Sequence, residues 1–323
     1  MLRKKYLAAL VVLTGAVFSS NLYSASCCGG GSSSFLLVPK FSKSSIAVGA
    51  AMETYQGFWT STGKHLPDPD DSLLRQFRAT LSGAIRLNDN FQLSLSIPYV
   101  FNNNLYSGAQ YDTNGLGDTY LTLTYEAFDN ITCVWKVRDI SDLRPAAYFS
   151  VNVLIPTGIS PYSDVENNFD ITGRGFYRVD FRAFIDKTIY PFSMSLSAQY
   201  GKYIERPINK EYGTYVEPYQ RQLGDRFSAS GMLGFSFMLP TFYSLSLYAS
   251  YAYLIEQPGY DNGEVNEFLG FSKQTFTVST ILMNPGKNNI VKLNHSNSPP
   301  VDAFGVKTAS TYSWSIEVQH VYH

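Results

Sequence analysis

The chain has 323 residues, of which 45% are hydrophobic, 15% aromatic and only 16% charged, and its formal net charge is −1. Disordered chains are poor in aromatic residues and rich in net charge, so this composition excludes disorder. The charged fraction also lies below the roughly 25% of soluble domains, and after the N-terminus no apolar run reaches the ~18 residues of a membrane-spanning helix.

The first residues have the pattern of a secretory signal peptide. Residues 3–5 are basic, residues 6–18 form an apolar stretch, and residues 24–26 read small-x-small, as cleavage sites do. We therefore expect a signal peptide over residues 1–26. A membrane anchor is disfavoured because the apolar stretch is too short. Cleavage removes basic residues, and the remainder has no basic surface for nucleic acid.

Residues 27–44 contain a run of Gly and Ser at 29–34 and predict either a flexible tether or a plug that folds into the body of the protein. Cys27 directly follows the signal segment, which makes its lipidation an alternative. A lipidation site, however, prefers a Leu-like residue where Ser24 stands. In an oxidising compartment, a disulfide from Cys27 or Cys28 to Cys133 is a further alternative.

From residue 45 onward, apolar residues recur with a period of two. In the stretch 91–101, apolar and aromatic residues alternate with Gln92, Ser94 and Ser96. Side chains of a strand point alternately to opposite sides, so each such segment has one apolar and one polar face. About twelve segments of this kind follow one another. They lie near 45–56, 74–87, 91–101, 118–128, 146–156, 175–187, 191–204, 225–239, 242–256, 271–284, 287–295 and 310–323.

Short and long connections alternate along the chain. The short ones lie near 88–90, 188–190, 240–241 and 285–286, with 129–145 as a long exception among them. The long ones lie near 57–73, 102–117, 157–174, 205–224, 257–270 and 296–309. This alternation is typical of outer-membrane barrels, which must close because unpaired backbone groups in hydrocarbon cost several kcal/mol each. We therefore predict an all-β fold: a closed antiparallel transmembrane β-barrel of about twelve strands over 45–323, with short periplasmic turns and long extracellular loops.

A soluble β-sandwich is the competing architecture, because its strands also alternate apolar and polar residues. Aromatic residues near both ends of a strand, such as Phe91 and Phe101, favour a lipid-facing belt instead. Together with the signal peptide, this predicts secretion and residence in the outer membrane of a Gram-negative bacterium.

The last segment alternates up to Tyr322, similar to the terminal strand that the outer-membrane assembly machinery reads. Such strands usually end on the aromatic residue, whereas this one ends on His323. The expected partners are outer-membrane lipids, that assembly machinery and a small hydrophobic solute, with no nucleic acid and no cofactor.

Charged residues on the polar faces are expected to point into the lumen, since an Arg or Lys that faces lipid at mid-depth costs about 2–4 kcal/mol. Both signs of charge occur among them. These residues either pair and fill the lumen or line a wet passage. The lumen-lining candidates are Glu53, Arg78, Arg86, Asp118, Glu126, Arg178, Asp180, Arg182, Asp186, Arg226, Lys273, Lys292 and Glu317.

Three short motifs stand in order between residues 95 and 158. The first strand contains Pro-Tyr near its end, the second opens on Gly-x-Gly-Asp, and the third is followed by Pro-Thr-Gly. In this order they resemble the outer-membrane family named for the MetA pathway of phenol degradation. The resemblance implies an outer-membrane barrel likened to transporters of hydrophobic compounds. The motif residues are Pro98, Tyr99, Gly115, Gly117, Asp118, Pro156, Thr157 and Gly158.

The motifs also have local physical interpretations. Gly115 and Gly117 are expected to supply the backbone angles of a tight junction between loop and strand. Pro98 and Pro156 lie near strand ends, where a missing N–H costs least. Asp118 is interpreted either as a structural corner or as a carboxylate at the outer rim that contacts a ligand.

A channel or transporter for small hydrophobic or aromatic compounds is the predicted function. The alternative is a non-transporting surface protein that uses its long loops for adhesion or envelope interactions. A lipid hydrolase is least supported: such barrels place a His and a Ser two positions apart on one strand, whereas His295 and Ser296 are adjacent and should face opposite ways. No catalytic residue and no metal site is predicted, because the acidic runs near 68–71 and 261–264 lack the spacing of a calcium loop.

Overall fold

The computed structural model of the protein describes residues 36–106, 108–127, 133–166, 170–240, 243–286 and 288–323. The signal peptide, Cys27 and Cys28 lie outside the described residues. The expectations for cleavage, lipidation and a disulfide therefore stay predictions.

Twelve antiparallel strands form one closed barrel, as predicted. Every barrel strand pairs with two others, and the barrel strand at the end of the chain pairs with the first one. Numbered in chain order with all other strands, the barrel strands are β1 (Ser44–Trp59), β3 (Leu73–Arg86), β4 (Phe91–Tyr106), β6 (Thr119–Glu126), β8 (Ala146–Ile155), β9 (Arg178–Ile189), β10 (Phe192–Tyr203), β13 (Arg226–Met238), β14 (Ser244–Glu256), β17 (Phe271–Met283), β18 (Asn289–Asn297) and β20 (Thr308–Tyr322).

Shorter strands extend the wall or lie in the connections. They are β2 (His65–Leu66), β5 (Ala109–Leu116), β7 (Cys133–Val134), β11 (Arg206–Glu211), β12 (Thr214–Gln222), β15 (Gly259–Asp261), β16 (Glu264–Asn266) and β19 (Gly305–Val306). A short 3-10 helix spans Ile140–Leu143. Among the described residues, no helix has the length and apolarity to cross a bilayer.

Exposed apolar and buried polar residues alternate along the barrel strands. In β4, Phe91 and Leu95 are exposed, whereas Gln92 and Ser94 are buried. A soluble protein hides its apolar face, but here that face is the exposed one: Leu233, for example, is 65% exposed. The outer surface is therefore an apolar band, and the polar faces point into the lumen.

The two rims of the barrel differ in their connections. At the turn rim, β1 begins and β20 ends, and the connections are short apart from 127–145. One of these turns departs from its predicted position, because β9 continues to Ile189 and the turn consists of Tyr190 and Pro191. At the loop rim, the long connections 60–72, 156–177, 204–225, 257–270 and 298–307 emerge.

Two loop-rim connections form a small sheet of their own, the cap, which consists of β11, β12, β15 and β16. The side chains of Phe176, Tyr203, Ile208 and Leu223 form a buried cluster together with this sheet. Arg221 links β12 to β15, because its guanidinium donates to both carboxylate oxygens of Asp261, at 2.7 and 2.8 Å.

A charge on the outer face tests the assignment of the two faces. Ile316 is exposed on β20, and its neighbour Ser315 points into the lumen beside Asn294. We expect Ile316→Arg to lower the free energy of unfolding in lipid vesicles by about 2–4 kcal/mol, and Ser315→Arg to lower it by clearly less. Urea titration followed by gel mobility measures both. Equal losses for the two variants would contradict the assignment.

The cap should respond to acid in a defined range. The Arg221 guanidinium, together with Asn266, holds the pKa of Asp261 below its usual range. Its contribution is therefore complete above the unfolded-state pKa of about 4 and is lost as the pH falls through the lower folded value. We expect the difference in unfolding free energy between wild type and Asp261→Asn to be constant above about pH 5 and to shrink below pH 4. A difference that grows on acidification would refute this assignment.

Candidate functional site

The three sequence motifs meet at one corner of the barrel wall. The Gly117 amide donates to the Pro98 carbonyl at 2.8 Å, and the Thr157 hydroxyl donates to the Gly117 carbonyl at 2.6 Å. The hydroxyls of Thr119 and Thr157 lie 2.9 Å apart. This motif corner, formed by residues 98, 115–119 and 156–158, thus joins β4, β6 and the end of β8.

Asp118 fixes a loop to this corner. Its carboxylate accepts hydrogen bonds from the backbone amides of Gly158, at 3.2 Å, and Arg174, at 2.8 Å. A Cβ at Gly173 would lie 2.2 Å from the same carboxylate, so the loop can approach only because this residue is glycine. The contacts of Asp118 are those of a structural corner that holds the connection 156–177 on the barrel.

The expected reason for the two motif glycines is wrong. Gly115 and Gly117 do not adopt positive φ angles. Instead, a Cβ at Gly117 would lie 2.9 Å from the Pro98 ring, and one at Gly115 would lie 2.9 Å from Ile159. Close packing, rather than backbone conformation, therefore requires glycine here. Tyr99 faces outward and donates its hydroxyl to Asn114 at 2.7 Å.

Several lumen candidates pair with one another. Near the turn rim, Arg86 of β3 lies 3.3 Å from Glu126 of β6, and Lys292 of β18 lies 2.7 Å from Glu317 of β20. The paired residues lie 40 and 25 positions apart in the sequence. In each pair the two opposite charges attract each other, which lowers the free-energy cost of placing both groups inside the barrel.

A buried network lies closer to the loop rim. Arg178 makes two hydrogen bonds to the carboxylate of Asp180, at 2.6 and 3.0 Å, and both side chains are buried. Arg178 also donates to the Tyr203 hydroxyl at 2.9 Å, and that hydroxyl donates to Glu256 at 3.1 Å. Arg226 lies 4.0 Å from Glu256.

The sequence analysis did not identify three members of this network, Tyr203, Arg174 and Glu256. Arg174 belongs to the connection 156–177 and donates two hydrogen bonds of 2.8 Å to the carboxylate of Glu256. Glu256 ends β14 and has the inward parity of that strand, which is a signal that could have identified it. Arg174 lies in a loop without periodicity, so no comparable signal exists for it.

Arg182 and Asp186 also face the lumen, on β9, where Asp186 is buried. The Arg182 guanidinium lies 5.7 Å from the centre of the Phe184 ring, and Phe184 stacks on Tyr148 with a centroid distance of 4.4 Å. Aromatic rings thus contribute to this side of the lumen.

Glu53, Arg78 and Lys273 take no part in the ion pairs between described residues. Arg78 is exposed and donates to Gln76 at 2.6 Å, while the half-buried Lys273 donates to the Thr311 hydroxyl at 2.8 Å. These three charged residues lie on the loop-rim half of their strands.

Residues 36–43, the plug segment, lie in the lumen at the turn rim. Leu36 and Val38 are buried against Ala47 of β1 and Ala84 of β3. The Val38 amide donates to the Gln92 side chain at 2.8 Å. These partners have the inward parity of their strands, so Leu36 and Val38 lie on the lumen side of the wall at this rim.

Two further lumen side chains bind the backbone of the plug segment. Arg86 donates to the carbonyls of Val38 and Pro39, at 3.1 and 3.4 Å, and Gln319 donates to the Leu37 carbonyl at 3.4 Å. Arg86 therefore has two roles, because it pairs with Glu126 and also holds the segment.

His295 and Ser296 face opposite sides of the wall. The His295 ring lies on the outer face with its centre 4.2 Å from that of Trp314, whereas the Ser296 hydroxyl lies 2.8 Å from that of Thr277 in the lumen. The two groups therefore do not form the hydrogen-bonded pair that nucleophilic catalysis requires.

Comparison with protein-family models and with curated proteins finds no match. Among solved structures, the fold is similar to that of the COG4313 outer membrane channel from Pseudomonas putida F1, with a TM-score of 0.63 and 13% identity over 94% of this chain and 100% of that chain. The beta domain of the Bordetella autotransporter BrkA gives a TM-score of 0.49 and 8% identity over 87% of this chain and 100% of that one. At this identity the first similarity shows a shared fold, and the resemblance of the three motifs to the MetA-pathway family stays a prediction.

The motif corner predicts a large difference between two glycine substitutions. Gly173→Ala places a Cβ against Asp118, whereas a Cβ at Gly83 on β3 meets no atom within 4 Å. We expect Gly173→Ala to cost about 1–3 kcal/mol and to open the connection 156–177 to protease, with Gly83→Ala unchanged. Thermal unfolding and limited proteolysis in detergent measure this. If the connection 156–177 resisted protease in Gly173→Ala as it does in the wild type, the packing role of Gly173 would be contradicted.

Proposed function

We propose that this chain is an outer-membrane channel or transporter for small hydrophobic or aromatic compounds. The observation that carries the proposal is the wall itself, which exposes apolar side chains outward and turns polar and charged ones inward. Such a wall is suited to lipid outside and to a polar passage inside. In this proposal the turn rim faces the periplasm and the loop rim faces outward, as in barrels with short turns and long loops.

The composition of the lumen favours a passage over a filled interior. Inward positions on several strands hold serine, a small side chain that leaves space, and Ser197, Ser228, Ser250 and Ser313 are only half-buried. Tyr148 and Phe184 add aromatic rings on β8 and β9, where Phe184 lies opposite Ser197 of the neighbouring strand. This combination of hydroxyls and rings suits small ring-bearing solutes.

The plug segment supplies a closure that could be released. Residues 36–39 are held by packing and by hydrogen bonds with the side chains of Gln92, Arg86 and Gln319, and backbone pairing with the wall strands begins only at Lys43. Such a bond contributes about 0.5–1.5 kcal/mol between neutral groups and about 1.5–3 kcal/mol when a charged group such as Arg86 donates, so displacing the segment costs far less than opening the wall. We therefore assign passage to a state in which the plug segment has left the turn rim.

A second candidate function is favoured by the cap. Tyr215 and Phe268 are 79% and 89% exposed near the tips of the loop-rim connections. Exposed aromatic side chains of this kind are enriched where proteins bind partners. In this alternative the chain is a surface protein whose loops bind an adhesion or envelope partner, without transport.

Weakening the plug segment tests the proposed passage. In Leu36→Ser/Val38→Ser, two buried apolar contacts are lost, so we expect uptake of a small aromatic alcohol into reconstituted vesicles to rise several-fold over wild type. The matched control is Phe41→Ser, which removes a side chain that is 79% exposed and should leave uptake unchanged.

No solute uptake by either wild type or the double variant would reject the passage. If removal of the cap hairpin (206–222) abolishes binding to an envelope preparation under the same conditions, the surface-protein alternative replaces it.

A further inference from the structure

We propose that Arg78 and Lys273 form a binding station for the carboxylate of small aromatic acids within the lumen. The inference rests on the proposed passage and specifies its solute class. The station is defined by Glu53, Tyr55, Arg78 and Lys273, all on lumen-facing positions of β1, β3 and β17.

Charge is distributed unevenly in the lumen. The lumen carboxylates Glu126, Asp180, Glu256 and Glu317 each have an arginine or lysine within 4.0 Å. Within the described residues, these pairs neutralise most of the lumen. At the station, two cations face one carboxylate, Glu53, and neither cation forms an ion pair with it.

The register of the strands places β1 between β3 and β20 at the station. Glu53 lies opposite Gln76 on one side and Ser313 on the other, and Tyr55 lies opposite Thr311. The side chains of β1 therefore stand between the two cations, with Arg78 anchored on the β3 side and Lys273 on the β20 side.

Neutral side chains anchor both cations. Arg78 donates to the amide oxygen of Gln76 at 2.6 Å, and Lys273 donates to the hydroxyl of Thr311 at 2.8 Å. Both acceptors are neutral, so they orient the cations without cancelling their charge. Arg78 is exposed and Lys273 is half-buried, which leaves both able to take a further acceptor.

The chemistry of the groups points to a carboxylate on a ring. A guanidinium presents a planar fork that matches a carboxylate, and an ammonium adds a point charge. The Tyr55 side chain provides an aromatic surface between them. Glu53 weakens the attraction, and a passage needs binding that is moderate enough for release. A neutral aromatic solute gains none of the ionic contacts, and a cationic one is repelled.

Benzoate is the probe, with benzyl alcohol and benzylamine as neutral and cationic analogues of the same size. Binding to the full chain in detergent is followed by calorimetry, together with gel mobility as a check of folding. We expect benzoate to bind at least tenfold more tightly than either analogue. Arg78→Gln and Lys273→Gln should each weaken benzoate about tenfold, and Glu53→Gln should strengthen it.

The matched control is Arg75→Gln, which removes an exposed arginine from the outer face of β3 and should leave benzoate binding unchanged. The inference is overturned if benzoate does not bind, if benzyl alcohol binds equally well, or if folded Arg78→Gln and Lys273→Gln bind like wild type. Uptake of benzyl alcohol through the plug-weakened variant in the absence of benzoate binding would retain the passage and reject the station. Absence of all uptake, together with benzoate binding that depends on Arg78 and Lys273, would retain the station and reject the passage.

Discussion

Backbone hydrogen bonding is the constraint on which the rest of this structure depends. In hydrocarbon, an unpaired backbone group costs several kcal/mol, so a sheet that crosses a bilayer must close on itself. Here the contact between β9 and β10 and that between β20 and β1 complete the ring. Closure gives every strand an outer and an inner face, and the sequence divides its residues accordingly.

That division determines which side chains line the lumen. Polar and charged residues that cannot face lipid are gathered in a narrow space, where they are stable mainly as pairs such as Arg86 with Glu126 or Arg178 with Asp180. The same charges hold parts of the chain that lie outside the wall strands. Arg86 binds the plug segment at one rim, and Arg174 binds the connection 156–177 to Glu256 at the other. The pairs therefore both neutralise the lumen and fix the elements that cover it.

Local sequence predicts the wall well because strand parity is a local property. A period of two assigns Phe91 outward and Gln92 inward without any knowledge of their neighbours. The contacts that cover the lumen are different, because they join residues far apart in the chain: Asp118 binds an amide 56 residues away and Arg174 binds Glu256 82 residues away. Loops have no periodicity from which such partners could be read. The motif glycines illustrate the same limit, since their role is set by a proline ring and an isoleucine from other elements.

The most direct measurement of lipid contact uses the tryptophans. Trp314 is exposed on the outer face, whereas Trp59 is fully buried at the loop rim. In vesicles that contain brominated acyl chains, the fluorescence of a variant retaining only Trp314 should be strongly quenched by the lipid and little affected by aqueous iodide. A variant retaining only Trp59 should be quenched by neither. Quenching of Trp314 by iodide but not by brominated lipid would show that the apolar band does not face acyl chains.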